Sequence, residues 1–320
     1  MTRKTRSESL VPAALKTRLR FRHLELFRNV CELQSLRKAA EASSMTQPAA
    51  TKLIQELEDM FGMRLFQRDR KGMRSTQYGD IVRRHIDVVM ADVSNLHADL
   101  KLFASGGTGL IRLGIIPSLS AALLATSINK LLAAHPRASF QLKEGTTDEL
   151  MQELARNHLD IIFGRVLHAG HASHLRVTNV YAESFHIVCG KRHRFASRPA
   201  VSWKDLAQEH WVLPATGSPL RDMAEDMFTT RGVLRPVVAV ASGSFHQMRY
   251  VIAAGELLGL LPRSIALQGQ TDGDLVVLRP TQRVKFAPIS LIAREDFEQA
   301  PLVEEFAQIV THTARSLKLE

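Results

Sequence analysis

Residues 46–61 read Thr46-Gln-Pro-Ala-Ala-Thr-Lys-Leu-Ile-Gln-Glu-Leu-Glu-Asp-Met-Phe61. Ala50, Leu53, Ile54, Leu57 and Phe61 recur at helical spacing and form one apolar stripe. Gln47, Thr51 and Gln55 lie four apart on another face, with Lys52 beside them. Thr46 suits an N-cap, and Pro48, which lacks an N–H, is tolerated in a first helical turn. The spacing predicts a helix over 47–61, buried on one side and carrying amide, hydroxyl and ammonium groups on the other. Side chains of this kind can reach base edges in a major groove, and the free N–H groups at a helix start suit a phosphate.

The flanking residues supply the rest of such a module. From Arg22, Leu24, Phe27, Val30 and Cys31 fall on one helical face. Gln34-Ser35 breaks that helix, and 36–43 follows as a short one in which Ala39 and Ala40 allow a close crossing. After the 47–61 helix, residues 62–76 place a Gly-centred basic tip, Arg70, Lys71, Gly72 and Arg74, between apolar residues, with Arg68 just before it. This predicts a β-hairpin wing able to contact the backbone or enter a minor groove. Helix, turn, reading helix and wing together predict a winged helix-turn-helix over 19–76. Residues 1–18 show no periodicity and are expected to be a flexible basic extension.

Charge agrees with that placement. Residues 1–80 hold 16 Lys and Arg against 9 Asp and Glu, whereas the other 240 hold 26 against 23. Basic density confined to one quarter of the chain fits a polyanion-binding module on a nearly neutral remainder. With 320 residues, 45% apolar and 23% charged, the chain is expected to form more than one globular domain, which excludes fibrous and low-complexity classes. Two cysteines, Cys31 and Cys189, form no disulfide framework. The N-terminal run 10–15 is too short for a signal-peptide core and no run is long enough to span a membrane, so a soluble cytoplasmic protein with no membrane partner is expected.

Between the module and the remainder, Val82, Ile86, Val89, Val93, Leu96, Leu100 and Phe103 step by 4, 3, 4, 3, 4 and 3 residues. That is a heptad seam, and residues 77–104 are expected to be a linker helix that dimerises as a coiled coil. A dimer would set two reading helices on successive half-sites of a partly palindromic duplex.

Ser105-Gly-Gly-Thr-Gly109 is the expected boundary. Beyond it, strand-like runs at 110–116, 139–144 and 159–164 alternate with helical ones, predicting a parallel sheet. Further strands are expected at 185–189, 211–213, 237–241, 257–261, 275–278 and 289–293, with a closing amphipathic helix through Leu302, Phe306, Ile309 and Val310. Two α/β lobes follow: lobe I at about 108–180 and 284–312, lobe II at about 181–283, within a C-terminal domain over 108–320. The fold class is α plus α/β. Ligands of such sheets bind beyond strand carboxyl ends. The residues there are Ser118 and Ser120, Thr146 and Thr147, Arg165, and Thr216, Gly217 and Ser218. Each hydroxyl is also a good helix cap; converging, with one Arg, they suit a small anion such as a carboxylate.

The first eighty residues resemble the DNA-binding module of LysR-type transcriptional regulators. The matching residues are Ala39-Ala40, Thr46-Gln-Pro-Ala-Ala-Thr-Lys52, Leu57-Glu58, Leu65-Phe66 with Arg68, and Thr76 with Gly79. The rest resembles that family's effector domain, itself similar to type 2 periplasmic binding proteins. The resemblance covers about 19–312. It implies double-stranded DNA as partner, a dimer through the linker helix that builds to a tetramer, possible contact with RNA polymerase, and no cofactor beyond a small effector. It also implies an inter-lobe cleft lined by Ser118, Thr146, Arg165, Thr216 and Ser218. The chain departs from the family at Gly255-Glu256, followed directly by Leu257-Leu258 where a Gly-x-Gly run is common.

Other constellations carry less. His168, His171 and His174 sit three apart in a Gly/Ala/Ser-rich stretch without nearby Cys or acid, which suits a solvated loop rather than a metal. No GxSxG, SxxK or framed carboxylate pair is present, so an enzyme is not expected. An α/β solute-binding or enzymatic protein anchored to nucleic acid by its basic N-terminal part is the alternative. Cys189, in an apolar run, is expected to be a buried, inert thiol.

Overall fold

The computed structural model describes residues 13–69, 72–166, 175–198, 200–279, 287–295, 300–317 and 319. The chain divides into two compact units, Met1–Leu100 and Lys101–Glu320.

The first unit opens with α1 (Ala13–Arg18), α2 (Phe21–Leu33), α3 (Leu36–Ala42) and α4 (Gln47–Phe61). The short α1 takes up the last six residues of the expected flexible extension; it precedes α2 and packs against α4. Leu26, Phe27 and Val30 from α2, Ala39 and Ala40 from α3, and Ala50 and Leu57 from α4 are at most 1% exposed. The two alanines let α3 cross closely. Each helix ends for a local reason. Gln34 takes a left-handed φ of 48° after α2, Ser35 caps α3 by accepting the Lys38 N–H at 3.4 Å, and Gly62 at φ 67° terminates α4.

The hairpin is β1 (Phe66–Asp69) and β2 (Gly72–Ser75), antiparallel, with Phe66 opposite Ser75. Gly72 is required here: its φ is 129°, and a Cβ would lie 2.5 Å from the Gln34 carbonyl oxygen, which accepts the Met73 N–H at 2.9 Å. The hairpin is thereby tied to the turn between α2 and α3. The linker is one helix, α5 (Gln77–Ala104).

The second unit contains two five-stranded sheets. In the first, the order is β4 (Ala138–Glu144), β3 (Gly109–Ile115), β5 (Ile161–Gly164), β12 (Ile289–Arg294), β6 (Leu175–Tyr181). In the second it is β11 (Leu275–Val277), β7 (Phe185–Gly190), β10 (Leu258–Pro262), β8 (His210–Pro214), β9 (Val237–Ser242). β3 runs parallel to β4 and β5, and β8 to β9 and β10, while β12 and β7 pair only antiparallel with their neighbours. The three strands expected to lie parallel, β3, β4 and β5, do so, and each sheet is mixed because it also takes in a reversed strand. One strand in each sheet runs against the others, β12 in the first and β7 in the second, while β6 and β11, antiparallel to those two, run with the rest. Among them β6 is not anticipated by the sequence reading.

Helices α6 (Ala121–Ala134), α7 (Thr147–Ala155) and α12 (Pro301–Ser316) cover the first sheet; α8 (Trp203–Ala207), α9 (Pro219–Thr229), α10 (Phe245–Ala254) and α11 (Arg263–Asp272) belong to the second. The second core centres on Phe228, met edge-on by Trp203 and Trp211 at 5.3 Å each. Cys189 is fully buried there. Among the described residues no helix is long and apolar enough to cross a membrane. His168, His171 and His174 lie outside the described residues.

Candidate functional site

In the first unit the outward face of α4 is polar. Gln47, Pro48, Lys52 and Gln55 are exposed and Thr51 half-buried, while Leu53, Ile54 and Leu57 point into the core. Thr46 occupies the N-cap, yet its hydroxyl makes no capping hydrogen bond, a correction to its expected role that leaves the oxygen facing out. The Thr51 hydroxyl donates to the Gln47 carbonyl at 2.9 Å, which fixes its rotamer and directs its lone pairs outward. The Lys52 ammonium is 79% exposed, 4.0 Å from Glu56. Glu56 accepts a hydrogen bond from His23, which holds its carboxyl below the ordinary range.

The wing's position relative to α4 is set by one buried carboxylate. Glu58 Oε1 accepts the N–H groups of Leu65 at 2.8 Å and Phe66 at 3.1 Å, and its other oxygen takes Arg64. Thr76 bonds the Arg64 carbonyl and receives the Gly79 N–H, while a Cβ at Gly79 would stand 2.2 Å from the Leu65 oxygen. Arg74 is exposed on β2, and Arg68 lies on β1 opposite Met73. Arg70 and Lys71 lie outside the described residues.

The heptad seam divides. Ile86, 5% exposed, and Val82 pack on the core of their own helix-turn-helix, together with Met90. Those first two seam positions are therefore turned toward their own unit, where α5 closes the core formed by α2, α3 and α4. Val89, Val93, Leu96, Leu100 and Phe103 are between 44% and 77% exposed.

In the second unit, Ser118, Thr147 and Arg165 come together beyond the ends of β3, β4 and β5. Arg165 is 9% exposed; its guanidinium donates to Ser118 Oγ at 3.3 Å and to the Ala287 carbonyl, and its backbone N–H to Thr147 Oγ1 at 3.2 Å. The ring of Phe185, first residue of β7, lies 5.7 Å from its Cζ. Two residues not expected there complete the group. Tyr181 Oη accepts the Ser120 N–H at 2.8 Å, and Glu183, 4% exposed, accepts from Tyr181 and from the Ser264 N–H. Burial raises the pKa of both Tyr181 and Glu183, with Arg165 opposing the rise. The overlooked strand β6 hid them. The available signal was two polar groups flanking a crossover between apolar strands.

Several expected cleft residues are spent as caps. Ser120 caps α6 through the Leu123 N–H. Thr146 forms a capping box with Glu149, whose pKa that bonding lowers, and Ser218 caps α9. Thr216 is exposed in the loop after β8. Local capping thus claims the hydroxyls of Ser120, Thr146 and Ser218, while Ser118 and Arg165 form a buried polar pair.

Comparison with known proteins agrees with both units. Residues 21–80 match the bacterial regulatory helix-turn-helix family of LysR type, and residues 104–315 match the LysR substrate binding domain. The transcriptional regulator GbpR of Azospirillum brasilense is 27% identical over 90% of this chain and 84% of its own. PcaQ of Agrobacterium fabrum is 25% identical over 94% and 96%. Among solved structures, full-length CbnR complexed with its target DNA aligns at a TM-score of 0.64 and 21% identity, covering 92% of this chain and all of that one. OxyR of Pseudomonas aeruginosa aligns at 0.60 and 19%, covering 91% and 94%. With both family profiles matched in order along the chain, this protein belongs to the LysR family of transcriptional regulators, which are regulators and not enzymes.

Proposed function

We propose that this regulator works as a dimer, assembled further into a tetramer, that reads a partly palindromic duplex in the cytoplasm and responds to a small carboxylate. Gln47, Thr51, Lys52 and Gln55 read base edges in the major groove; Thr46 and Pro48 set the helix N-terminus against a phosphate; Arg68, Arg70, Lys71 and Arg74 hold the flanking backbone or minor groove. The observation that carries the reading is the polar outer face of α4, backed by a core stripe that fixes its direction. The exposed run Val89 to Phe103 supports pairing through α5.

The carboxylate binds near Ser118 and Arg165, with Ser120, Thr146, Thr216 and Ser218 at the rim. Arg165 has donors beyond the two committed to Ser118 and Ala287. A ligand that prefers one lobe arrangement would shift the placement of the DNA-binding pairs and so the access of RNA polymerase. The double variant Gln47→Ala with Lys52→Ala is expected to lose sequence-selective binding in competition gel shifts while keeping its oligomer in light scattering. Retained selectivity would sink the assignment of α4 as the reading helix.

A further inference from the structure

Between α12 and the strands β5, β12 and β6 lies an open groove of about 540 Å³, within the range of small-molecule sites. Ile161, Leu291 and Ala293, 2%, 3% and 4% exposed, lie at its floor beside Thr178, and Gln308 and Thr311 line it from the helix. Ala307 lines it too, on the helix face that carries Glu304 and Arg315.

The rim has an uneven charge. Arg176 on β6 pairs with Glu304 at 3.4 Å, so those two charges meet each other. Arg315, in the last turn of α12, makes no ion pair among the described residues, and His312 stands one turn before it. An exposed, uncompensated guanidinium beside Ile161, Leu291 and Ala293 suits a ligand with one anionic group and an apolar body. Glu304 at the opposite rim disfavours a second anionic group.

The groove is separate from the Ser118–Arg165 cluster. Those residues follow the carboxyl ends of β3 and β5, whereas Ile161 begins β5, and Ala293 faces Arg176 across the antiparallel β12 and β6 pair. The two places therefore lie at opposite ends of one sheet.

The geometry points to a second small-molecule site in this regulator, for a monocarboxylate with an aromatic or branched apolar body, its carboxylate on Arg315 and its body over Ile161, Leu291 and Ala293. The test is calorimetric titration of the full-length protein with benzoate, phenylacetate and isovalerate. At least one is expected to bind with a Kd below about 10 mM. Arg315→Gln, an exposed change, is expected to weaken that binding about tenfold, the loss of a charged hydrogen bond. Ala307→Phe, which fills the groove, should abolish the binding that Arg315→Gln weakens. The proposal is overturned if none of the three binds, if Arg315→Gln binds as tightly as the parent, or if Ala307→Phe still binds.

Discussion

Glu58, near the end of α4, accepts the backbone N–H of Leu65 at 2.8 Å, so the direction of the hairpin is fixed by the helix it flanks. The carboxylate is 7% exposed and also holds the Phe66 N–H.

Glu58→Ala leaves two buried N–H groups without a partner, at a cost of about 2–4 kcal/mol. Urea unfolding should show that loss, with a matching fall in DNA affinity as the wing loosens. Glu58→Gln, which keeps one acceptor oxygen, should lose less. Equal stability of the alanine variant and the parent would show that the bond does not hold the wing.

On α5, Leu96 and Leu100 are 58% and 60% exposed. If a partner helix covers them, each contributes about 1.5–3 kcal/mol to association. Leu96→Lys with Leu100→Lys should then raise the dimer dissociation constant by about a hundredfold or more in sedimentation equilibrium. The monomer should keep its helix-turn-helix, because Val82 and Ile86 seal that core from within the chain. An unchanged sedimentation profile would place the dimer contact elsewhere.

Glu183 makes stability pH-dependent in a direction that can be worked out. Burial raises its pKa above the ordinary 4.5, so the folded state holds the proton more tightly than the unfolded chain. The contribution is fully present below about 4.5 and is lost as pH rises through the raised value. Glu183→Gln should therefore gain on the parent as pH is raised from about 4 to about 7, followed by urea midpoints at each pH. A difference that stays flat with pH would mean that Arg165 and the Ser264 N–H fully compensate the burial.

Cys31 and Cys189 should both resist modification in the native protein. Burial pushes their thiols up to about 12 and about 11, so almost no thiolate exists near neutrality. Ellman's reagent should label neither until denaturant is added; rapid labelling of Cys189 would reopen a redox role for it.

The helix-turn-helix was legible because its signals are local. The stripe Ala50, Leu53, Ile54 and Leu57 follows from a 3.6-residue period, and Gly62 ends the helix by its own backbone freedom. Strand β6 was not legible. Its Leu175, Val177, Val180 and Tyr181 break strict alternation, because the register shifts at Val180: Asn179 faces Ser290 while Tyr181 faces Ile289. With β6 went Tyr181 and Glu183, and with them half of the polar cluster around Arg165.

The hydroxyls show the same division. Ser120, Thr146 and Ser218 are cap residues by sequence and caps in the structure. Ser118 looks no different in the sequence, yet it is buried against Arg165, forty-seven residues away. The order of domains, the polar outer face of α4 and the apolar run of α5 were all determined by the chain itself, because periodicity and capping act over a few residues. The mixed direction of both sheets and which polar group meets Arg165 were decided only by tertiary structure. Those contacts join segments far apart in sequence, and only the packing of whole elements sets the distance between them.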